Sequence, residues 1–145
     1  MLRSRRRRSF RFVLVAALAP LAVSCTSGPK LYPVKGQVFF GDKPTDGAQV
    51  VFHPATGSDL NARRPSGVVG PDGTFTLSTF APNDGAPAGS YIVAIVWLPK
   101  DARADWKTTE LKNRLPDKYA DPTQSNLRAE VKPGENNLEP FRLTR

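Results

Sequence analysis

The 145-residue chain has one cysteine, Cys25, and one histidine, His53. With no second thiol, an intrachain disulfide is excluded. With no second histidine, a zinc site would need Asp or Glu for its other ligands, and no spaced pair such as H-x-x-x-H prearranges one. His53, directly before Pro54, therefore reads as a strand-end histidine. A Ser-His-Asp triad would have to recruit the same residue, and no serine stands in a glycine-flanked nucleophile elbow. Asp42, Asp46, Asp72 and Asp84 fall in turn sequences without the D-x-D-x-D-G spacing of a calcium loop, so they read as turn-forming carboxylates. No catalytic residue, metal site or cofactor is expected.

Acidic residues are also absent ahead of Cys25, whereas Arg3, Arg5, Arg6, Arg7, Arg8 and Arg11 all lie there. The whole chain carries 21 basic and 13 acidic residues, a net of +8, yet residues 25–145 hold 15 basic and 13 acidic, a net of +2. The basic character belongs to the leader. The remaining cations are scattered among acids with no stripe of interleaved aromatics, which excludes the electrostatic footprint of a nucleic-acid binder.

Long apolar runs are few. Phe12–Val23 (FVLVAALAPLAV) has twelve residues, about 18 Å as a helix against a hydrocarbon core of roughly 30 Å, too short to span a bilayer alone. A basic start, a short apolar stretch and small residues after it are the parts of a secretory signal. The ending Leu21-Ala22-Val23-Ser24-Cys25 resembles a bacterial lipobox, with Ala22 where the usual pattern has Leu. The resemblance implies a diacylglyceryl group on the Cys25 sulfur and cleavage before it by signal peptidase II. Two or three acyl chains anchor durably where one holds only marginally. The alternative is an ordinary thiol beside a signal-peptidase I site. Arg7-Arg8-Ser9-Phe10 partly resembles a twin-arginine signal, but Arg6 and Arg11 depart from it and favour the general secretory route.

After a proline-bearing tether through Pro33, the chain is written in short β segments. Val34–Phe40 alternates and meets Gly41-Asp42-Lys43-Pro44, and Ala48–His53 follows; the pair predicts a hairpin. Ser66–Val69 is short and extended. Pro71-Asp72-Gly73 is a turn, because Pro presets φ, Asp bonds nearby backbone and Gly takes positive φ. Thr74–Thr79 places Phe75 and Leu77 on one face and hydroxyls on the other. Ser90–Leu98, rich in Val, Ile and aromatics, predicts a central strand. Residues 100–118 predict a short helical or irregular excursion. Leu127–Lys132 and Leu138–Leu143 around Pro133–Asn137 predict a final hairpin, with Pro140 at an edge or bulge. Seven short strands rich in turn residues argue for an antiparallel, all-β sandwich.

The stretches VKGQVFFGDKPTDGAQVVFHP, SGVVGPDGTFTLSTFAPNDGAPAGSYIVAIV and KYADPTQSNLRAEVKPGENNLEPFRL resemble the carboxypeptidase regulatory-like, transthyretin-like domains of small bacterial lipoproteins. The resemblance covers residues 34–143. It implies an immunoglobulin-like or prealbumin-like sandwich, export, a lipid anchor and a non-catalytic role. The catalytic zinc domain of the carboxypeptidases has no counterpart here. Transthyretin-like hydroxyisourate hydrolases use several histidines and a C-terminal Tyr-Arg-Gly-Ser, and this chain has neither.

The expected organisation is a signal peptide over 1–24, a lipidated cysteine and tether over 25–33, and a β-sandwich over 34–145. The expected function is a lipid-anchored, extracytoplasmic, non-enzymatic structural or protein-interaction module, on the periplasmic or cell-surface side. Its partners are then membrane lipid through Cys25 and an envelope protein. The alternative is a carbohydrate or envelope-polymer binding domain using Trp106 with the loops at 55–65 and 80–88. Tyr91 and Trp97 share one face of a strand and are expected to pack in the core; Tyr119 completes the aromatics able to form a ligand platform.

Overall fold

The computed structural model describes residues 28–57, 63–98 and 112–145. Cys25 and Trp106, like the leader over 1–24, lie outside the described residues. The fold is all-β with eleven short strands in three sheets, arranged as an open sandwich: β1 Leu31–Tyr32, β2 Val34–Phe40, β3 Lys43–Pro44, β4 Gln49–Pro54, β5 Ser66–Val68, β6 Thr74–Thr76, β7 Ala86–Pro87, β8 Gly89–Val96, β9 Arg128–Val131, β10 Asn136–Asn137 and β11 Phe141–Leu143. The one described helical element is a single 3-10 turn at Asp117–Tyr119, which overlaps the end of the expected 100–118 excursion; residues 100–111 of that excursion lie outside the described residues. Among the described residues no helix is long and apolar enough to cross a membrane.

One layer is the sheet β5-β4-β8-β9. Its β4 and β8 pair antiparallel over six residues, from Gln49 opposite Val96 to Pro54 opposite Tyr91. The alternation that marks both segments sends Val50, Phe52, Tyr91, Val93 and Ile95 inward. The central position expected for 90–98 is observed, since β8 lies between β4 and β9. The other layer is organised on β2, which meets β6 and β3 along one edge and β10 and β11 along the other. It contributes Val34, Val38, Phe75, Leu77, Phe141 and Leu143 to the same core. An aromatic column crosses between the layers at Phe52 and Phe75, which meet edge-on at 6.4 Å; within each layer it is extended by Tyr91, tilted against Phe52 at 5.5 Å, and by Phe141, stacked on Phe75 at 6.4 Å. Gly36 makes room for this column, because a Cβ there would lie 2.6 Å from the Phe75 ring.

Three expectations about pairing are corrected. The segments 34–40 and 48–53 do not form a hairpin: β2 and β4 belong to different layers, and the chain crosses between them through Thr45–Ala48. Buried Thr45 secures that crossing through its hydroxyl, which donates to Val38 O. The last two segments are not a hairpin either. β9 pairs with β8, whereas β10 and β11 cross to the other layer and run parallel to β2, so the sandwich is not wholly antiparallel. Asn136 makes that second crossing tight. Its Oδ1 accepts Lys132 N at 2.8 Å, and its Nδ2 donates to Lys132 O at 2.9 Å and Gly134 O at 3.0 Å. The register slips by one residue between Asn136 opposite Val34 and Phe141 opposite Val38, which places Pro140 at a bulge as its missing N–H requires. Finally, the expected count of seven strands becomes eleven, because bulges and loops divide longer strand lines.

Turn chemistry follows the residues. The Asp72 carboxylate accepts both the N–H and the hydroxyl of Thr74, at 3.1 and 2.7 Å, and Asp121 repeats the arrangement on Thr123 at 2.8 and 2.7 Å. The Pro71-Asp72-Gly73 turn joins the layers at one edge, where Ser66 and Ser78 exchange backbone hydrogen bonds of 2.9 and 2.8 Å.

Candidate functional site

The strand line beside β1 and β2 is interrupted. β6 pairs with residues 35–37, a loop over 79–85 leaves the sheet, and the line resumes as β7 against Leu31 and Tyr32. The loop is closed by two residues. The Asp84 carboxylate accepts the backbone N–H groups of Thr79, Phe80 and Ala81 at 2.6, 2.9 and 2.7 Å. Desolvation alone would raise the Asp84 carboxyl, but these three donors stabilise its charge and the net shift is downward. Gly85 then returns the chain at φ +89°, with its Cα so close to Tyr32 that a Cβ would lie 1.9 Å from the Tyr32 carbonyl oxygen. Phe80, held on the outside of the closed loop, is 54% exposed.

A groove of about 650 Å³ opens beneath this loop. Four prolines shape it: Pro29 from the tether, Pro54 at the end of β4, Pro65 ahead of β5 and Pro87 at the end of β7. Proline offers a rigid apolar ring and no N–H, so these walls have few donors. Tyr91 forms part of the floor, with its hydroxyl donated to Pro87 O at 2.7 Å and its phenol raised by burial. Polar lining comes from Thr56, Thr79, Ser90 and Arg63, and the Arg63 guanidinium lies 5.9 Å from the centre of the Phe80 ring. Of the two loops singled out in the sequence, the structure brings Thr56, Arg63 and Pro65 of 55–65 together with Phe80, Pro87 and Ala88 of 80–88 around one groove, residues 58–62 lying outside the described residues.

The other candidate residues have structural partners. Tyr91 and Trp97 do share a face of β8 and its extension; Tyr91 is buried and Trp97 half-buried, with Trp97 Nε1 donating to Asp46 O at 2.9 Å. Tyr119 is buried, and its hydroxyl bonds the backbone of Thr144 near the C-terminus. These three rings form no platform. His53 sits half-buried near the end of β4, on the face away from the core; burial lowers its pKa and the Arg64 charge lowers it further. Among the described residues no three His, Cys, Asp or Glu side chains cluster as a metal site would require.

Phe80 and Arg63 were not singled out in the sequence. The available signal was weak: an aromatic flanked by Ser78-Thr79 and Ala81-Pro82, outside any period-two run, is one that no strand face claims. No family model matches the chain, and no curated protein or solved structure matches it either.

Proposed function

We propose that this chain is a lipid-anchored, extracytoplasmic, non-enzymatic interaction module of a bacterial cell envelope, held through Cys25. The observation that carries the reading is where the paired fold begins. The first described strand starts at Leu31, so cleavage before Cys25 leaves every described strand intact and a tether of a few residues between anchor and domain. The finer fold class proposed with it is the immunoglobulin-like or prealbumin-like sandwich of carboxypeptidase regulatory-like domains. In support, β1 continues into β2 across Pro33 and β10 into β11 across a bulge, which reduces the number of independent strand lines towards seven. The loop carboxylates Asp72, Asp84 and Asp121 are engaged by loop N–H and hydroxyl groups, a structural use that fits a non-catalytic role.

The test is the intact mass of the mature protein from a bacterial membrane, alongside Cys25→Ala. A chain that begins at Cys25 and is heavier by two or three acyl groups, lost in the variant, is the expected result. An unacylated chain cut elsewhere would overturn the anchor.

A second reading, a binding domain for carbohydrate or envelope polymer, is favoured by the groove that Thr56, Arg63 and Pro65 line together with Phe80, Pro87 and Ala88. It requires a saturable tryptophan fluorescence change with glycan fragments that Trp106→Ala abolishes. A flat titration would refute it.

A further inference from the structure

We propose that the mouth of the proline-lined groove is a membrane-docking face, seated on anionic phospholipid headgroups with Phe80 at the interface and Lys30, Arg63 and Arg64 beside the phosphates. The proposal rests on acylation of Cys25 and goes beyond it by assigning which face of the domain meets the bilayer.

Three observations carry it. The first is chain length. Pro29 is part of the groove wall and also the fourth residue after Cys25. Four residues fully extended span at most about 14 Å, so an acylated Cys25 keeps this wall near the headgroups however the tether is bent. Rotation is restricted two residues later, where Leu31 and Tyr32 pair with Pro87 and Ala86.

The second is the apolar contact. The large exposed hydrophobic residues among those described are Val68, Phe80 and Leu98, and of these Phe80 belongs to this wall. An exposed ring with a guanidinium over it can enter the interface while the cation remains at phosphate level, as interfacial anchors do.

The third is charge. Arg63 carries the only formal charge among the described lining residues; Arg64, next to it in the chain, is exposed, and so is Lys30, next after Pro29, with its ammonium 5.5 Å from the centre of the Tyr32 ring. The nearby Asp84 carboxylate stays ionised on the Thr79, Phe80 and Ala81 N–H groups but is not among the residues that line the groove, so Arg63 sets the sign of the charge there. The lining hydroxyls of Thr56, Thr79 and Ser90 are neutral, and the single charged lining group, the Arg63 guanidinium, matches a phosphate rather than a sugar hydroxyl. The observations therefore favour lipid over polysaccharide as the occupant.

The experiment uses the mature protein reconstituted in phosphatidylcholine vesicles with and without phosphatidylglycerol. An environment-sensitive fluorophore is placed at Ala88→Cys, exposed on the groove wall with Phe80 intact, or at Asp42→Cys in the turn beyond the far end of β2. Acylation blocks the Cys25 sulfur, so the label reports only the introduced thiol, and intact mass verifies this. The expected result is a blue-shifted probe at position 88, shielded from an aqueous quencher only with phosphatidylglycerol present, beside a solvent-exposed probe at position 42. Arg63→Glu with Arg64→Glu should lower the docked-to-undocked ratio by about fivefold or more per charge, and Phe80→Ser should lower it further.

If Cys25 is acylated but position 88 is as exposed as position 42, the docking face is wrong and the anchor stands. Shielding that ignores phosphatidylglycerol and responds instead to glycan fragments or protein concentration assigns the groove to a sugar or a second copy, and overturns the proposal. Absence of acyl mass removes the tether argument and overturns both readings.

Discussion

Replacing Gly85 with alanine tests the way the exposed loop is fastened to the first strand. Two costs are expected. A residue with a Cβ at φ +89° has a backbone penalty of about 1–2 kcal/mol relative to glycine. In addition, the new Cβ would lie 1.9 Å from the Tyr32 oxygen and 2.4 Å from its carbon, well inside the 3.4 Å at which ordinary contact begins. Backbone atoms cannot swing away as a side chain can, so β1 must move off β7, and overpacking of this kind costs about 1–3 kcal/mol. The sum, about 2–5 kcal/mol, is a large share of the 5–15 kcal/mol by which domains are usually stable. Gly134→Ala separates the two terms. Its φ is +105°, at least as unfavourable, yet a Cβ there meets nothing within 4 Å. Urea unfolding should place Gly85→Ala well below Gly134→Ala at unchanged m, and hydrogen exchange at Leu31 and Tyr32 should accelerate only in the former. Equal losses for the two variants would refute the close approach of Gly85 to Tyr32.

Three further outcomes follow from the hydrogen bonds and titrating groups. Asn136→Ala removes the side chain that bonds Lys132 N, Lys132 O and Gly134 O, and should cost about 2–4 kcal/mol in urea unfolding; Asn136→Asp should not rescue it at neutral pH, because an ionised carboxylate cannot donate to the carbonyls. For His53, the folded pKa lies below the unfolded value near 6.5, so the unfolded chain binds the proton more readily. Stability is therefore full above that value and falls as pH drops through the depressed folded pKa, and His53→Gln should remove this limb from a stability profile taken between about pH 7 and 5. The Asp84 carboxyl is also depressed, so its contribution is present above its ordinary value near 3.8 and lost as pH falls further. Asp84→Asn should flatten that acid limb and increase mobility of an amide probe at Phe80 by loosening the loop.

Local residue chemistry made much of the fold legible. The alternation in Val34–Phe40, the apolar run Ser90–Leu98 and the turn residues at 71–73 each report their own burial or backbone conformation, and each became the element expected. Pairing was not legible in the same way. A period of two tells which side of a strand is buried, but not which distant strand lies beside it, since that depends on packing between segments far apart in sequence. The crossings at Thr45–Ala48 and Lys132–Asn136 look like hairpin turns locally, and the side chains of Thr45 and Asn136 fasten them to backbone of the segments they leave.

The candidate site divides along the same line. By itself the sequence determined the basic leader, the short apolar run ending at Cys25, the scarcity of thiol and imidazole, and the loops 55–65 and 80–88 as places where polar and turn residues accumulate. Only the tertiary structure decided that Thr56, Arg63 and Pro65 line one groove with Phe80, Pro87 and Ala88, that Phe80 is exposed with Arg63 over it, and that Pro29 of the tether lines the same groove. The physical reason is that composition and spacing act along the chain, whereas a groove is made by the closure of two layers around the Phe52, Phe75 and Tyr91 core.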